Sequence, residues 1–163
     1  MSGEFRLRRP LEADHRVLVG QVDDWWGGRA LHVRFPRLWF QHFTGTSWMA
    51  EDEEGRVAGF LVGFISPDRP DEAYVHLIAT SPNHRRQGLG RMLYERFFED
   101  VRTLGVRRVS AITWPGNRVS VGFHLAMGFT PSAGPETQNL YGTPAYPDYD
   151  AEGDDRVVFS REL

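Results

Sequence analysis

The sequence predicts a mixed α/β domain of the α+β type, with a mostly antiparallel central sheet flanked by about four helices. Its first half holds several short segments in which apolar and polar residues alternate, as they do in strands. One long amphipathic helix over 88–104 lies between two further strands, as in a β-α-β crossover. The length of 163 residues suits one core, so we expect a single domain over residues 1–163.

The front of the chain predicts one strand and two helices. Residues 5–9 alternate apolar and basic residues and stop at Pro10, as a short edge strand does. A helix is predicted over 11–26, where a pair of glycines ends it. A second helical stretch over 31–43 contains Pro36, so we expect it to divide or to begin there.

Strands are predicted over 47–51, 56–65 and 72–80, with a hairpin turn joining the first two. The helix over 88–104 follows, then a strand over 107–113 and a short helix capped by Asn117. Residues 130–155 predict a long loop with at most one short strand, and 156–161 a closing strand. The predicted order is therefore β-α-α-β-β-β-α-β-α-β.

Composition excludes several classes of site and partner. The chain has no cysteine, which excludes disulfides, a thiolate nucleophile and zinc–thiolate sites, and we expect no metal. A net charge of -3 without a basic stripe disfavours nucleic acid as a partner. No apolar run approaches the about 20 residues of a membrane span, and no secretory apolar region is present. We expect a cytoplasmic protein without a membrane partner.

The segment over 73–90, AYVHLIATSPNHRRQGLG, carries the most chemical information. It predicts a buried strand, a turn and a helix that begins at Gly88, and the unpaired N–H groups of such a helix start favour an anion such as pyrophosphate. Glycines at 88 and 90 allow close backbone approach. Arg85, Arg86 and Arg91 add positive charge. No Lys-Ser/Thr follows, which excludes a nucleotide P-loop, and the dinucleotide fingerprint is not matched either.

The run Arg85-Arg86-Gln87-Gly88-Leu89-Gly90 resembles the acetyl-CoA pyrophosphate turn of the GNAT superfamily of N-acetyltransferases. A second signature follows in the order that the family shows: Asn117, then Phe123-His124, then Gly128-Phe129. The resemblance implies the GNAT fold. It also implies transfer of an acetyl group from acetyl-CoA to a primary amine of a small molecule or peptide, by direct attack in a ternary complex.

The resemblance further implies which residues bind acetyl-CoA. The backbone of Ile78, Ala79 and Thr80 would pair with the pantetheine arm, and Asn117 and Phe123 would lie near its end. The pyrophosphate would be held by the turn itself, made of Arg85, Arg86, Gln87, Gly88, Leu89, Gly90 and Arg91. The family's tyrosine, which protonates the departing thiolate, is replaced by His124. An imidazole can also donate a proton near neutral pH, or His124 only packs beside the cofactor.

A base must deprotonate the acceptor amine, because an alkylamine is almost fully protonated at pH 7. Alternation along the strand over 72–80 places Glu72, Tyr74, His76 and Ile78 on one face. His76 and Glu72 are the candidates, acting directly or through water, with His76 nearer the cofactor end. A hydrogen-bonded core histidine is the alternative. A backbone N–H near Ile78 or Ala79 would meet the oxyanion.

Acceptor specificity in the superfamily comes from the first two helices and the late loop. The candidates there are Asp24, Trp25, Trp26 and Tyr146, since aromatic rings with carboxylates suit a cationic or aromatic amine. The alternatives for the run from Asp23 to Gly28 are a dimer contact or a capping structure. Three further aromatic residues of the second helical stretch are predicted to lie in the core: Trp39, Phe40 and Phe43.

Two other functions stay open from the sequence. One is a protein N-terminal or lysine acetyltransferase, and the other is a non-catalytic acyl-CoA-binding regulatory module. The family also makes a homodimer an expectation.

Overall fold

The structure is a computed structural model that describes residues 3–163, so residues 1 and 2 of the predicted domain lie outside the described residues. The described chain divides into two compact units. The first contains residues 3–65 and Val75–Leu104, and the second contains Ser66–Tyr74 and Gly105–Leu163. The prediction of one domain stays a prediction.

The first unit begins with an antiparallel ladder. Strand β1 (Arg6–Arg8) pairs with β2 (Trp48–Glu51), which pairs with β3 (Val57–Ile65). Three α-helices precede β2, and a fourth, longer one closes the unit: α1 (Asp14–Val19), α2 (Val22–Trp25), α3 (Trp39–His42) and α4 (Leu89–Thr103). Three short 3-10 helices join these elements: Leu31–Arg34, Thr44–Thr46 and Pro82–His84.

The helix predicted over 11–26 is in fact two short helices that separate at Gly20. Glycine disfavours helix because the unfolded chain loses more backbone entropy there, and α1 ends at this residue. The stretch over 31–43 divides at Pro36 as predicted. A 3-10 helix precedes the proline, and after it the N–H of Trp39 donates a hydrogen bond to the Pro36 carbonyl at 3.2 Å.

The core of the first unit has two parts. Along α4 the buried side chains recur at helical spacing, which places one apolar face inside: Leu89, Leu93, Tyr94, Phe97, Phe98 and Val101. The front helices bury a second, aromatic-rich cluster, in which Phe35 packs against Phe40 and Phe60 with ring centroids 5.1 Å apart. These clusters fix the strands and turns that carry the candidate site.

Strand β4 (Glu72–Thr80) has residues in both units. In the second unit, β5 (Arg108–Thr113) pairs antiparallel with β9 (Val157–Glu162), and β9 also pairs with β6 (Thr130–Pro131). Helix α5 (Arg118–Ala126) follows β5.

The strand order is β1-β2-β3-β4-β5-β9-β6. This seven-stranded, mostly antiparallel sheet with helices confirms the predicted fold class, and residues 3–163 hold five α-helices where about four were predicted.

The long loop over 130–155 is more ordered than the sequence predicted. Besides β6 it holds a separate hairpin of β7 (Gln138–Leu140) and β8 (Thr143–Ala145). Tyr141 and Gly142 form its two-residue turn, with φ of 54° and 87°. Positive φ at both positions matches the twist of a hairpin, but Tyr-Gly lacks the Asn or Asp that usually announces such a turn. The sequence therefore gave no signal for it.

Candidate active site

The turn between β4 and α4 has the backbone that an anion site needs. Arg86 and Gly88 adopt left-handed conformations, with φ of 62° and 79°. A Cβ at Gly88 would meet nothing within 4 Å, so the backbone conformation, and not space, favours glycine there. Arg86 has a Cβ, and a left-handed residue of that kind carries a cost of about 1–2 kcal/mol. Local strain of this kind is typical of ligand sites.

Helix α4 begins directly after this turn without a capping side chain from residues 3–163. Its first intrahelical bond runs from the N–H of Met92 to the carbonyl of Gly88, at 3.0 Å. The N–H groups of Leu89, Gly90 and Arg91 precede it, and helix geometry gives them no partner within the helix. Those donors, with the helix dipole, favour a bound anion.

The three arginines of the turn have different surroundings. The guanidinium of Arg85 donates a hydrogen bond to the backbone carbonyl of Trp25, at the end of α2. Arg91 lies 3.7 Å from Glu95, one turn along α4, in an exposed pair. Arg86 is exposed. Arg85 therefore ties the turn to the front helices, a role that the sequence did not indicate.

Two further residues hold the turn in place. His84 contacts Asp52 through Nε2 and Ser81 Oγ through Nδ1, both at 3.2 Å. Gly59 in β3 lies so close to the end of β4 that an added Cβ would sit 2.9 Å from the carbonyl oxygen of Ala79. The sequence signal for this contact is a glycine inside a strand, which marks close backbone approach.

Alternation along β4 is as predicted. Ala73, Val75, Leu77 and Ala79 are buried, and the residues between them are half-buried. The face that was predicted to carry the base is thus partly accessible, and it includes Ile78 and Thr80 at the end next to the turn.

His76 is held on that face by two contacts within the first unit. Its Nε2 lies 2.6 Å from the backbone carbonyl of Arg34, and its ring stacks on Trp39 with centroids 4.3 Å apart and planes at 14°. A carbonyl only accepts hydrogen bonds, so Nε2 carries the hydrogen and Nδ1 has the lone pair in the neutral ring. Burial lowers the pKa of His76, although the bond to Arg34 opposes this. The ring is therefore neutral at pH 7.

Glu72 lies at the other end of β4, in a charged cluster of the second unit. Its carboxylate accepts a hydrogen bond from the hydroxyl of Ser110 and lies 3.5 Å from Arg69. The cluster lines a cavity of about 360 Å³, formed by Arg69, Asp71, Glu72, Arg107, Arg108 and Glu162. Glu72 is thus paired with neighbours that the sequence did not connect to it.

Asn117 caps α5 as predicted, since its Oδ1 accepts a hydrogen bond from the N–H of Ser120 at 3.2 Å. One turn further, His124 is buried and its Nδ1–H donates to the carbonyl of Ser120 at 2.8 Å. Its ring stacks on Phe159 and meets the edge of Phe129. Burial lowers the pKa of His124, with the Ser120 bond opposing it. A neutral imidazole is a weak proton donor, so this packing favours the structural interpretation over proton donation.

Phe123 is half-buried beside His124, with ring centroids 5.5 Å apart.

The proposed acceptor residues fall into two groups. In the first unit Trp25 is only 6% exposed and packs near Phe60, so this side chain belongs to the core and not to a site lip. Asp23, beside the predicted Asp24, accepts bonds from the N–H and Nδ1 of His32, a capping structure that fits one of the alternatives. Trp26 remains half-buried.

In the second unit Tyr146 lies near Tyr149, with ring centroids 5.8 Å apart. Burial raises the pKa of Tyr74 to about 12, and the nearby Tyr149 and Asp150 act in the same direction. The Tyr74 phenol is therefore neutral at pH 7. The part of the chain that the structure describes contains no helix with the length and apolar character of a membrane span. Within residues 3–163 no three His, Asp or Glu side chains form a metal-binding group.

Comparison with known proteins places these features in context. Residues 18–129 match the family model described as the acetyltransferase (GNAT) family. The L-2,4-diaminobutyric acid acetyltransferase of Nocardia farcinica is 32% identical over 117 residues, which are 72% of this chain and 60% of that relative. The matched part of the chain therefore spans about three fifths of that relative's length.

Two solved structures share the fold. The diaminobutyrate acetyltransferase of Paenibacillus lautus, in complex with L-2,4-diaminobutyric acid and coenzyme A, gives a TM-score of 0.69 at 23% identity and covers 97% of this chain and 94% of its own. The phosphinothricin acetyltransferase of Sinorhizobium meliloti, in complex with acetyl-CoA, gives 0.72 at 20% identity, with 100% and 89% covered.

Proposed function

The chain belongs to the acetyltransferase (GNAT) family, and from this premise we propose that it transfers an acetyl group from acetyl-CoA to a primary amine of a small molecule. The observation that carries the proposal is the turn before α4. It combines two left-handed residues, Arg86 and Gly88, with a helix start that no side chain of residues 3–163 caps. This backbone suits the pyrophosphate of a coenzyme A ester.

The residues present fit acetyl-CoA. Backbone N–H groups of 86–91 would hold the pyrophosphate, and the backbone of 78–80 would pair with the pantetheine arm. Asn117 and Phe123 would contact the cofactor near the end of that arm. Asn117 uses its Oδ1 as the helix cap, which leaves its NH₂ group as a donor. Acetyl-CoA supplies the acetyl group as a thioester, whose carbonyl carbon the amine attacks.

We assign the proton transfer to His76 and not to Glu72. The neutral ring of His76 has a lone pair on Nδ1 and lies on the half-buried face of β4. It accepts a proton from the ammonium of the acceptor, directly or through a water molecule, which frees the nitrogen lone pair for attack. Glu72 is instead held by Ser110 and Arg69.

His124 is assigned to packing around Phe159. It is buried, neutral and bonded to the backbone of its own helix, so it fills volume in the second unit. The thiolate that leaves would then take its proton from solvent or from another group.

For the acceptor we propose a small diamino acid such as L-2,4-diaminobutyric acid. The support is the relative from Nocardia farcinica, which carries that name. A cytoplasmic location and a homodimer are carried forward as predictions, which cell fractionation and sedimentation would test.

The test is calorimetric titration with acetyl-CoA, followed by thiol release with a panel of amines. The panel contains L-2,4-diaminobutyric acid, ornithine, lysine, phosphinothricin and a peptide with a free N-terminal alanine. We expect acetyl-CoA to bind and L-2,4-diaminobutyric acid to release thiol fastest. Turnover of the peptide alone would move the assignment to a protein acetyltransferase. Binding without any turnover would indicate a regulatory module.

A glycine pair provides the matched control for this test. Gly88→Ala forces a side chain into the left-handed conformation of the turn, while Gly55→Ala does so in the hairpin between β2 and β3, where φ is 76°. Both variants should lose about 1 kcal/mol of stability. Only Gly88→Ala should weaken acetyl-CoA binding. Failure of the unmodified protein to bind acetyl-CoA would overturn the proposed function.

A further inference from the structure

His76 is fixed by one contact to its edge and one to its face. The edge contact is the 2.6 Å bond from Nε2 to the Arg34 carbonyl, and the face contact is the stack on Trp39. We propose that Trp39 is a positioning residue, which together with the Arg34 carbonyl holds His76 in a single tautomer with Nδ1 as the proton-accepting atom. This inference rests on the proposed function, because it concerns the base of the same reaction.

The carbonyl of Arg34 selects the tautomer. It cannot donate, so it bonds only the ring form with hydrogen on Nε2. The same bond persists after the ring accepts a proton at Nδ1, and it then stabilises the imidazolium. In this step the N–H bond of the acceptor ammonium breaks, its electron pair stays on nitrogen, and a new N–H bond forms at Nδ1. The proton later leaves to solvent, which restores the starting tautomer.

Trp39 supplies the orientation that one hydrogen bond does not. With one hydrogen bond alone, rotation about the Cβ–Cγ bond can carry Nε2 away from the Arg34 carbonyl, and a ring that loses this bond can exchange tautomers. The indole lies nearly parallel to the imidazole, at 14°, and blocks that rotation on one face. An aromatic face also favours a cation above it, so the stack favours the protonated ring and acts against burial. The charged side chain recorded near His76 is that of Arg34, which lowers its pKa.

Trp39 can do this because it is itself held. Its ring packs against Phe43, at 4.7 Å between centroids, and against Phe64 on β3, at 5.8 Å. Trp39 is only half-buried, whereas Phe40 beside it is almost fully buried in the core. From the sequence, Trp39 is predicted to belong to the core with Phe40 and Phe43. In the structure, the Trp39 ring lies between the rings of Phe43 and Phe64 on one side and the ring of His76 on the other, so it also positions His76.

The test reads the tautomer directly. Nitrogen-15 chemical shifts of the His76 ring, assigned with a His76→Asn variant, distinguish protonated from unprotonated ring nitrogens without any substrate. We expect the unmodified protein to show hydrogen on Nε2 only. In Trp39→Leu, both tautomers should be populated, and kcat should fall about tenfold while the KM for acetyl-CoA stays unchanged. Trp39→Phe keeps a ring and should stay within about threefold of the unmodified kcat.

Phe40→Leu is the matched control, since Phe40 lies beside Trp39 on α3 but packs its ring against Phe35 in the core. It should keep the single tautomer. Hydrogen on Nδ1 in the unmodified protein would overturn the inference, as would a Trp39→Leu variant with an unchanged nitrogen spectrum. Both of these outcomes are read from the nitrogen spectrum without enzymatic turnover. The amine panel tests the proposed function separately, so a failure of the positioning inference can be distinguished from a failure of the proposed function.

Discussion

His124 stacks on Phe159, with ring centroids 5.2 Å apart and planes at 12°. The family's tyrosine at this position carries a proton donor, but the histidine here donates Nδ1–H to the Ser120 carbonyl and lies in an aromatic group with Phe129. The His124 ring is only 4% exposed, and a ring that is buried to this extent contributes mainly to the stability of the fold.

We therefore expect His124→Ala to lower the free energy of unfolding by about 2–4 kcal/mol, through lost packing and a cavity. Urea unfolding measures this. Leu125→Ala is the control on the same helix, because Leu125 is 47% exposed and should change stability little. In His124→Phe, kcat should stay within about threefold of the unmodified protein. A stable His124→Phe protein with kcat lowered about a hundredfold would instead restore the acid role.

Stability should fall in mild acid because two histidines have lowered pKa values. Burial is the largest cause for both His76 and His124. The unfolded chain binds protons near pH 6.5, while the folded chain does so only at lower pH. Their contribution is therefore fully present above about pH 6.5 and is lost as pH falls toward the folded pKa values.

Urea unfolding between pH 5 and 8 measures that dependence. The loss on acidification should be smaller in His124→Phe, which removes one of the two groups. An identical pH slope in that variant would contradict the account. For activity, the acidic limb of kcat/KM should lie below pH 6.5, since that limb reports the base of the free enzyme.

Arg85 and Arg86 are neighbours with different expected effects. The guanidinium of Arg85 bonds the carbonyl of Trp25, so Arg85→Ala should lower the free energy of unfolding by about 1 kcal/mol. Arg86 is exposed, and Arg86→Ala should leave stability unchanged while weakening acetyl-CoA binding. Paired urea unfolding and calorimetric titration separate the two. Equal effects on stability would show that the Arg85 contact contributes nothing.

Gly59 should tolerate no side chain. In Gly59→Ala the added Cβ would lie 2.9 Å from the Ala79 carbonyl and 3.1 Å from Leu89, so β3 must shift at a cost of about 1–3 kcal/mol. Gly45→Ala is the control, because its Cβ would meet nothing within 4 Å. Thermal unfolding compares them. Because Gly59 borders the end of β4, its variant should also weaken acetyl-CoA binding, and intact binding would argue against that link.

The sequence predicted the fold class and the strand–turn–helix segment before α4 because both depend on local patterns. Alternation fixed the faces of β4, and glycine spacing located the start of α4. The contacts of individual side chains could not be predicted in the same way, because they join residues that are far apart in the sequence. The bond from Arg85 to Trp25 joins residues 60 apart, and the stack of Trp39 on His76 depends on how α3 docks. The hairpin turn at Tyr141 was missed because positive φ is rare for tyrosine.

Glu72 and His76 occupy the same face of β4, so substitution can decide between them as the base. Glu72 is bonded to Ser110 and lies near Arg69, and Glu72→Gln keeps its size and its ability to accept from Ser110. We expect kcat of that variant within about threefold of the unmodified protein. His76→Asn removes the lone pair on Nδ1 and should lower kcat about a hundredfold.

The measurement is thiol release across pH 6 to 9 with acetyl-CoA saturating. A more basic pH should partly rescue His76→Asn, because the acceptor amine then loses its proton without a base. Ser110→Ala is the control for Glu72, since it removes the same hydrogen bond from the other side. If Glu72→Gln lost activity about a hundredfold while Ser110→Ala and His76→Asn stayed active, the base would be Glu72, and the charged cluster at the start of β4 would belong to the catalytic site.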